Sequence, residues 1–247
     1  MMAIDECVSP SPMLQLKAAT KAMERHEVLA AILKAGIVPV VRTATAESAL
    51  HCIEAIHRGG IGVVEITMTV PGALRVLELV ADEFGDGDRV LLGAGTVLDP
   101  ETARACMLAG AAFILTPTLN PATIELVRGY SKVILAGALT PAEVLKTWES
   151  GADVVRVLPC DAMGGASYIR SLRAPFPHID LMAIGGVTLE TVSDYFRAGA
   201  VGVGVAGALI DSSSLRSGSY EVFTERARRF VESIRRVRES LAAHPPL

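Results

Sequence analysis

The sequence predicts an α/β protein built as a (β/α)8 TIM barrel with an extra N-terminal helix. Three observations carry that prediction. Eight short β-branched, aliphatic runs alternate with helical patterns along the 247 residues. The runs are apolar throughout rather than alternating, as expected for parallel strands buried on both faces. The repeat is about 20–25 residues, so eight units fill the roughly 250 residues such a barrel needs. A doubly wound open sheet is the competing architecture, but no GxGxxG follows the first run.

Taken in order, the strand runs are "IVPVVR" (37–42), "GVVEIT" (62–67), "RVLLGA" (89–94), "AAFILT" (111–116), "KVILA" (132–136), "DVVRVL" (153–158), "IDLMAI" (179–184) and "VGVGVA" (201–206). Between them lie "TAESALHCIEAIHRGG", "DPETARACMLAGA", "TPAEVLKTWESGA" and "TLETVSDYFRAGA". These open on Thr or Asp at the N-cap position, and several close on Gly, the usual start and stop chemistry of helices. Ahead of the first strand, "MLQLKAATKAMERHEVLAAILKAG" is amphipathic and predicts a helix over residues 13–35 covering the amino-terminal mouth. Residues 1–12 read as a flexible tail, and 13–247 as a single barrel with no room for a second domain.

Composition narrows the function classes. The chain is 51% hydrophobic but only 4% aromatic, which suits a large aliphatic core. A net charge of −4 offers no basic field for nucleic acid or an anionic membrane. The C-terminal arginines 226, 228, 229, 235, 236 and 238 are interleaved with Glu225, Glu232 and Glu239 and read as a solvated helix face. Cys7, Cys52, Cys106 and Cys160 are scattered, with no CxxC and no His at ligand spacing, so neither a disulfide framework nor a metal site is expected. Without a long apolar N-terminal run, the expected location is the cytoplasm.

In barrels of this kind function gathers at the carboxyl ends of the strands. Glu65 shares a period-2 row with Val63 and Thr67, and in a desolvated cup it would act as a general acid/base. Arg42 closes the first strand, where a guanidinium can fork onto phosphate or carboxylate. "GGVT" (185–188) and "VGVGVAGALI" (201–210) end the last two strands, a frequent place for phosphate in barrels, although glycines there also serve packing. Cys160 reads as a buried filler rather than a nucleophile. The oddest residue is Arg156, one charge among Val154, Val155, Val157 and Leu158. A buried guanidinium needs a partner, and Glu65 is the acidic strand residue sharing its end of the barrel. The pairing predicts a depressed Glu65 pKa, spoiling it as a proton donor near neutrality.

The segments "IVPVVRTATAESAL", "GGIGVVEITMTVPGAL", "LLGAGTVLDPETA", "GAAFILTPTLNP", "VVRVLPCDAMGG", "SLRAPFPHIDLMAIGGV" and "RAGAVGVGVAGAL" together resemble the family of 2-keto-3-deoxy-6-phosphogluconate aldolase and 4-hydroxy-2-oxoglutarate aldolase, in order over about residues 26–240. The resemblance implies a homotrimer of (β/α)8 barrels that cleaves a keto-acid sugar, often phosphorylated, to pyruvate and an aldehyde, without metal or organic cofactor. It implies that Glu65 is the acid/base, Arg42 a substrate-phosphate contact and Thr96 part of the "GAGT" substrate loop. Pro117, in the turn after the fourth strand, joins the substrate-binding set, with Gly185, Gly186 and Gly207 at the phosphate end. Three positions depart from the pattern. Ile184 stands where a threonine is usual, Gly207 where a serine is, and Arg156 ("RVLP") where the Schiff-base lysine is.

An imine needs a nitrogen that can lose its proton, which a desolvated lysine can and a guanidinium, with its pKa above ~12, cannot. The five lysines are Lys17, Lys21 and Lys34 before the first strand, Lys132 at the start of the fifth, and Lys146 in mid-helix, so none is expected to substitute. The sequence therefore predicts an aldolase-family carbon–carbon lyase with weak or lost retro-aldol activity. The alternatives are a non-catalytic binder of keto acids or sugar phosphates, and a lyase or decarboxylase that uses Arg156 without an imine.

Overall fold

Apolar strands buried on both faces must be covered inside and out, and a closed ring of parallel strands wrapped by helices does this. The protein adopts that arrangement in a computed structural model that describes residues 23–43, 45–84 and 90–243. Helix α1 (Arg25–Ala35) precedes β1 (Ile37–Val41), α2 (Ala46–Arg58), β2 (Val63–Thr67), α3 (Ala73–Phe84), β3 (Leu91–Gly95), α4 (Pro100–Leu108), β4 (Phe113–Leu115) and α5 (Pro121–Gly129). The chain continues through β5 (Val133–Ala138), α6 (Pro141–Glu149), β6 (Val154–Val157), α7 (Ala166–Arg173), β7 (Leu181–Ile184), α8 (Val192–Arg197), β8 (Gly202–Val205), α9 (Ser212–Ser217) and α10 (Glu221–Ala243). Among the described residues the eight strands close in sequential order, every neighbour parallel, with β8 returning to β1.

Strand periodicity sorts the side chains into two cores. Outward residues such as Val41, Val64, Ile114 and Val155 pack against the helices. Inward ones, including Val38, Val63, Leu91, Phe113, Leu135, Val154 and Met182, fill the lumen together with Val28 and Ile32 of α1. Helix α1 thus plugs the amino-terminal mouth, and Arg25 ties it there by an ion pair with Asp153, whose other oxygen accepts from the Ile134 amide at 2.9 Å. The helix expected over residues 13–35 is described from Arg25 onward. Residues 13–22 and the expected tail at 1–12 lie outside the described residues.

Side-chain caps fix where the outer helices begin. Thr45, Asp99, Asn120 and Thr140 each accept the backbone N–H three residues on, and proline follows the last three at the first helical position. The arginine-rich face of α10 is only partly the solvated surface expected. Arg235 and Arg236 pair with Glu232 and Glu239 within the helix, in exposed positions. Arg226 instead bonds Asp211 and the Leu209 carbonyl, and Arg238 donates to the carbonyls of Leu33 and Val201 while stacking over Phe196. These two arginines latch α10 onto the barrel, which explains why their charge is not simply solvated.

Candidate active site

With the lower mouth plugged, the inward rows of β2 and β6 end in charges. Glu65 and Arg156 face each other across the lumen, and Arg156 Nη2 donates to Glu65 Oε2 at 3.1 Å. Both are nearly sealed from water, at 2% and 4% exposure, so the pair is a desolvated one. Its seat is made by glycines. Gly95 of β3 lies where any Cβ would strike Glu65 Oε1, Gly93 yields to the ring of Phe113, and Gly137, paired with Arg156, yields to the backbone of Pro117. A side chain at position 95 would evict the carboxylate.

The pairing is a single hydrogen bond, not a fork. Arg156 Nε is buried with no hydrogen-bond partner among the described residues, so the guanidinium presents more donors than these residues satisfy. Burial pushes the Glu65 carboxyl above the usual carboxylate range, opposed by the attraction of Arg156 and then Arg42. The expectation of a depressed pKa is thereby corrected. Loss of hydration outweighs a one-point ion pair, and Glu65 retains its proton more readily than an ordinary glutamate.

Around the pair, Thr67 Oγ1 lies 2.9 Å from Thr96 Oγ1 and 3.1 Å from Thr69 Oγ1, a short string of hydroxyls at the end of β2 and β3. Thr96 adopts φ 58°, a left-handed conformation that threonine takes only under constraint and that is common where a loop serves a ligand. Arg42 is exposed at the rim, and its charge reaches Glu65. Pro117 is half-buried in the loop after β4. Gly185 and Gly186 follow β7 with φ of 107° and 65°, and with Gly207 they line a cavity of about 340 Å³ bordered by Val40 and Ile184. Val40 pairs in register with Glu65, and Ile184 lies two residues beyond Met182, the partner of Arg156, so this cavity adjoins the ion pair.

Sequence reasoning missed two supports of the glycine loop. The Tyr195 hydroxyl donates to the Gly185 carbonyl at 3.0 Å, and the Asp161 carboxylate lies flush against both glycines. Cys160 donates to the Gly165 carbonyl at 3.4 Å, and burial pushes its thiol up to about 11, which leaves it inert. Lys34, Lys132 and Lys146 belong to α1, the start of β5 and α6, away from the carboxyl end, while Lys17 and Lys21 fall outside the described residues. Among the described residues no group of three or more His, Cys, Asp or Glu could hold a metal ion.

A closed parallel eight-stranded barrel wrapped by helices, with a desolvated acid facing a cation at its carboxyl end, places the protein among the (β/α)8 TIM barrels. Residues 28–225 match the family "KDPG and KHG aldolase", and the chain belongs to that family. It is 31% identical to the 2-dehydro-3-deoxy-6-phosphogalactonate aldolase of Escherichia coli over 203 residues, 82% of this chain and 96% of that one. It is 28% identical to the 2-dehydro-3-deoxy-phosphogluconate aldolase of Treponema pallidum over 194 residues, covering 78% and 91% of the two chains. A solved native KDPGal structure superposes with a TM-score of 0.76 at 30% identity, covering 82% of this chain and 96% of the other.

Proposed function

We propose that the carboxyl-end cup binds a 2-oxo acid of the family's substrate class, a 2-keto-3-deoxy sugar acid or 4-hydroxy-2-oxoglutarate, and that retro-aldol cleavage through an imine is weak or lost. One observation carries this reading: position 156 holds a guanidinium fastened to Glu65 inside the lumen. A permanently protonated guanidinium supplies no electron pair to attack a carbonyl. It does supply N–H donors, and the unpartnered Nε of Arg156 suits a carboxylate or keto oxygen. Glu65, Arg42, Thr96, Pro117, Gly185, Gly186 and Gly207 would complete the ligand's surroundings.

A second reading is favoured by the raised carboxyl of Glu65. A proton held there, opposite a cation able to stabilise an enolate, suits proton transfer at the carbon beside the keto group without any covalent intermediate. Two measurements separate these readings. Borohydride reduction in the presence of pyruvate should trap nothing on this chain and should trap an adduct on Arg156→Lys. Deuterium incorporation into the pyruvate methyl group, without trapping, would support the non-covalent lyase, and binding without exchange would support a pure binder.

The chain is also proposed to assemble as a homotrimer in the cytoplasm. Leu98 and Leu108, 59% and 73% exposed, offer apolar surface that assembly would cover. No helix among the described residues is long and apolar enough to cross a membrane.

A further inference from the structure

We infer that the cavity beside the ion pair selects a substrate with an uncharged tail and discriminates against a terminal phosphate. The inference rests on the proposed binding of the 2-oxo-acid head at Arg156 and Glu65 and assigns the other end of the ligand. The named relatives act on phosphorylated acids.

Among the described residues no cationic side chain lines this cavity. Its walls are Val40, Ile184, Val187, Ala206 and Ala208, with glycine backbone between them. Ile184 is the floor: its Cδ1 lies over Gly204, in the space a Cβ there would need. The lining hydroxyl, Thr188 Oγ1, is engaged by the amides of Glu190 and Thr191 and faces Thr191 Oγ1 at 3.4 Å. Arg42, exposed at the rim, is not among the residues that line the cavity. An acidic side chain lies against the Gly185–Gly186 turn. Asp161 packs so closely on that turn that a Cβ on either glycine would collide with it.

A phosphate dianion in this cavity would leave water for an aliphatic floor, meet no cation among the described lining residues and lie beside a carboxylate. An alkyl or hydroxylated tail meets none of these penalties. Its carbons cover Ile184 and Val40, and glycine amides remain able to donate to a hydroxyl oxygen. Asp161 is therefore a specificity-determining residue that acts by charge.

The test measures binding to the full chain by calorimetry, with pyruvate, 2-keto-3-deoxygluconate and 2-keto-3-deoxygluconate 6-phosphate as probes. The unphosphorylated acid should bind about tenfold more tightly than its phosphate ester, a preference that shrinks as salt screens the charge. In Asp161→Asn, which keeps the size of the side chain and removes its charge, the ester should gain about threefold while the unphosphorylated acid stays within about twofold. An ester that binds as tightly as the free acid, or an Asp161→Asn change that shifts both ligands alike, overturns the inference and leaves the head site standing. Failure of all three probes, pyruvate included, overturns the head site and this inference with it.

Discussion

Removing either member of the Glu65–Arg156 pair should destabilise the barrel, but by unequal amounts. Glu65→Leu strands a guanidinium in a lumen where Arg156 is 4% exposed and its Nε already lacks a partner. Because arginine cannot shed its proton, the full penalty stands, about 3–5 kcal/mol for an uncompensated buried charge. Arg156→Met leaves a buried carboxylate instead, and that group can neutralise itself by binding a proton. Its cost should therefore be smaller and depend on pH. With the guanidinium gone, burial raises the Glu65 carboxyl without the opposing attraction of Arg156. A folded-state carboxyl that titrates above its unfolded value favours folding fully below that unfolded value, and the contribution is lost as pH rises through the folded one. Arg156→Met should thus approach the native stability near pH 4 and fall away from it towards pH 8. The double variant Glu65→Leu/Arg156→Met, which fills the lumen with apolar atoms, should recover much of the single-variant loss, as buried pairs replaced by hydrophobes often do. Urea titrations of the four proteins at several pH values complete the cycle. A Glu65→Leu cost below about 1 kcal/mol, or additive single effects, would refute the pairing argument.

Gly95→Ala should cost about 1–3 kcal/mol, since the new methyl group occupies the seat of Glu65 Oε1, and it should weaken pyruvate binding in the same calorimetric assay. Asp211 caps α9 through the Ser213 and Ser214 amides and pairs with Arg226, interactions that hold its carboxyl well below the usual range. That contribution is complete above the ordinary carboxylate pKa and is lost as pH falls through the lower folded value. The stability gap between the native chain and Asp211→Asn should be constant from pH 7 to about pH 5 and narrow below about pH 4, as read by denaturant midpoints. Cys160, with its thiol up at about 11, should resist iodoacetamide at neutral pH until denaturant is added, which peptide mass spectrometry would show. Sedimentation equilibrium at micromolar concentration should give a trimer, and a stable monomer would count against the proposed assembly.

The strands were legible because each is a continuous apolar run, and their common direction followed from burial on both faces. Their ends were less so. The run "AAFILT" yields only Phe113–Leu115 as strand, because Thr116 turns its hydroxyl to the Thr118 carbonyl and accepts the Gly137 amide. Strand β5 runs on to Ala138, two residues past the predicted run "KVILA", through Gly137, whose missing side chain leaves room for the backbone of Pro117. The meeting of Glu65 and Arg156 was legible from period-2 parity together with a buried guanidinium's need for an acidic partner at the same end of the barrel. What parity cannot supply is the balance between hydration lost and attraction gained. That balance depends on how completely the lumen closes, and there the expected direction of the Glu65 shift was wrong. Arg226 and Arg238 show the same limit: helical spacing puts them among solvated arginines, and only the packing of α10 on the barrel separates them.

The position of Arg156 also explains how the fold tolerates it. The lumen below is filled by Val154, Met182, Leu135 and the two α1 residues, so a longer, forked cation at position 156 extends upward into the cup and not into the packed floor. Its charge is met by a carboxylate whose seat exists because position 95 has no side chain. A lysine at 156 would find the same acid, the same glycine and the same hydrophobic floor. On the proposed reading Arg156→Lys supplies a nucleophile while leaving its surroundings in place, which is why it is expected to gain imine formation without compensating substitutions. If Arg156→Lys folds, binds pyruvate and still traps no adduct under borohydride, the surroundings too have diverged, and the cup is built for noncovalent binding or proton transfer.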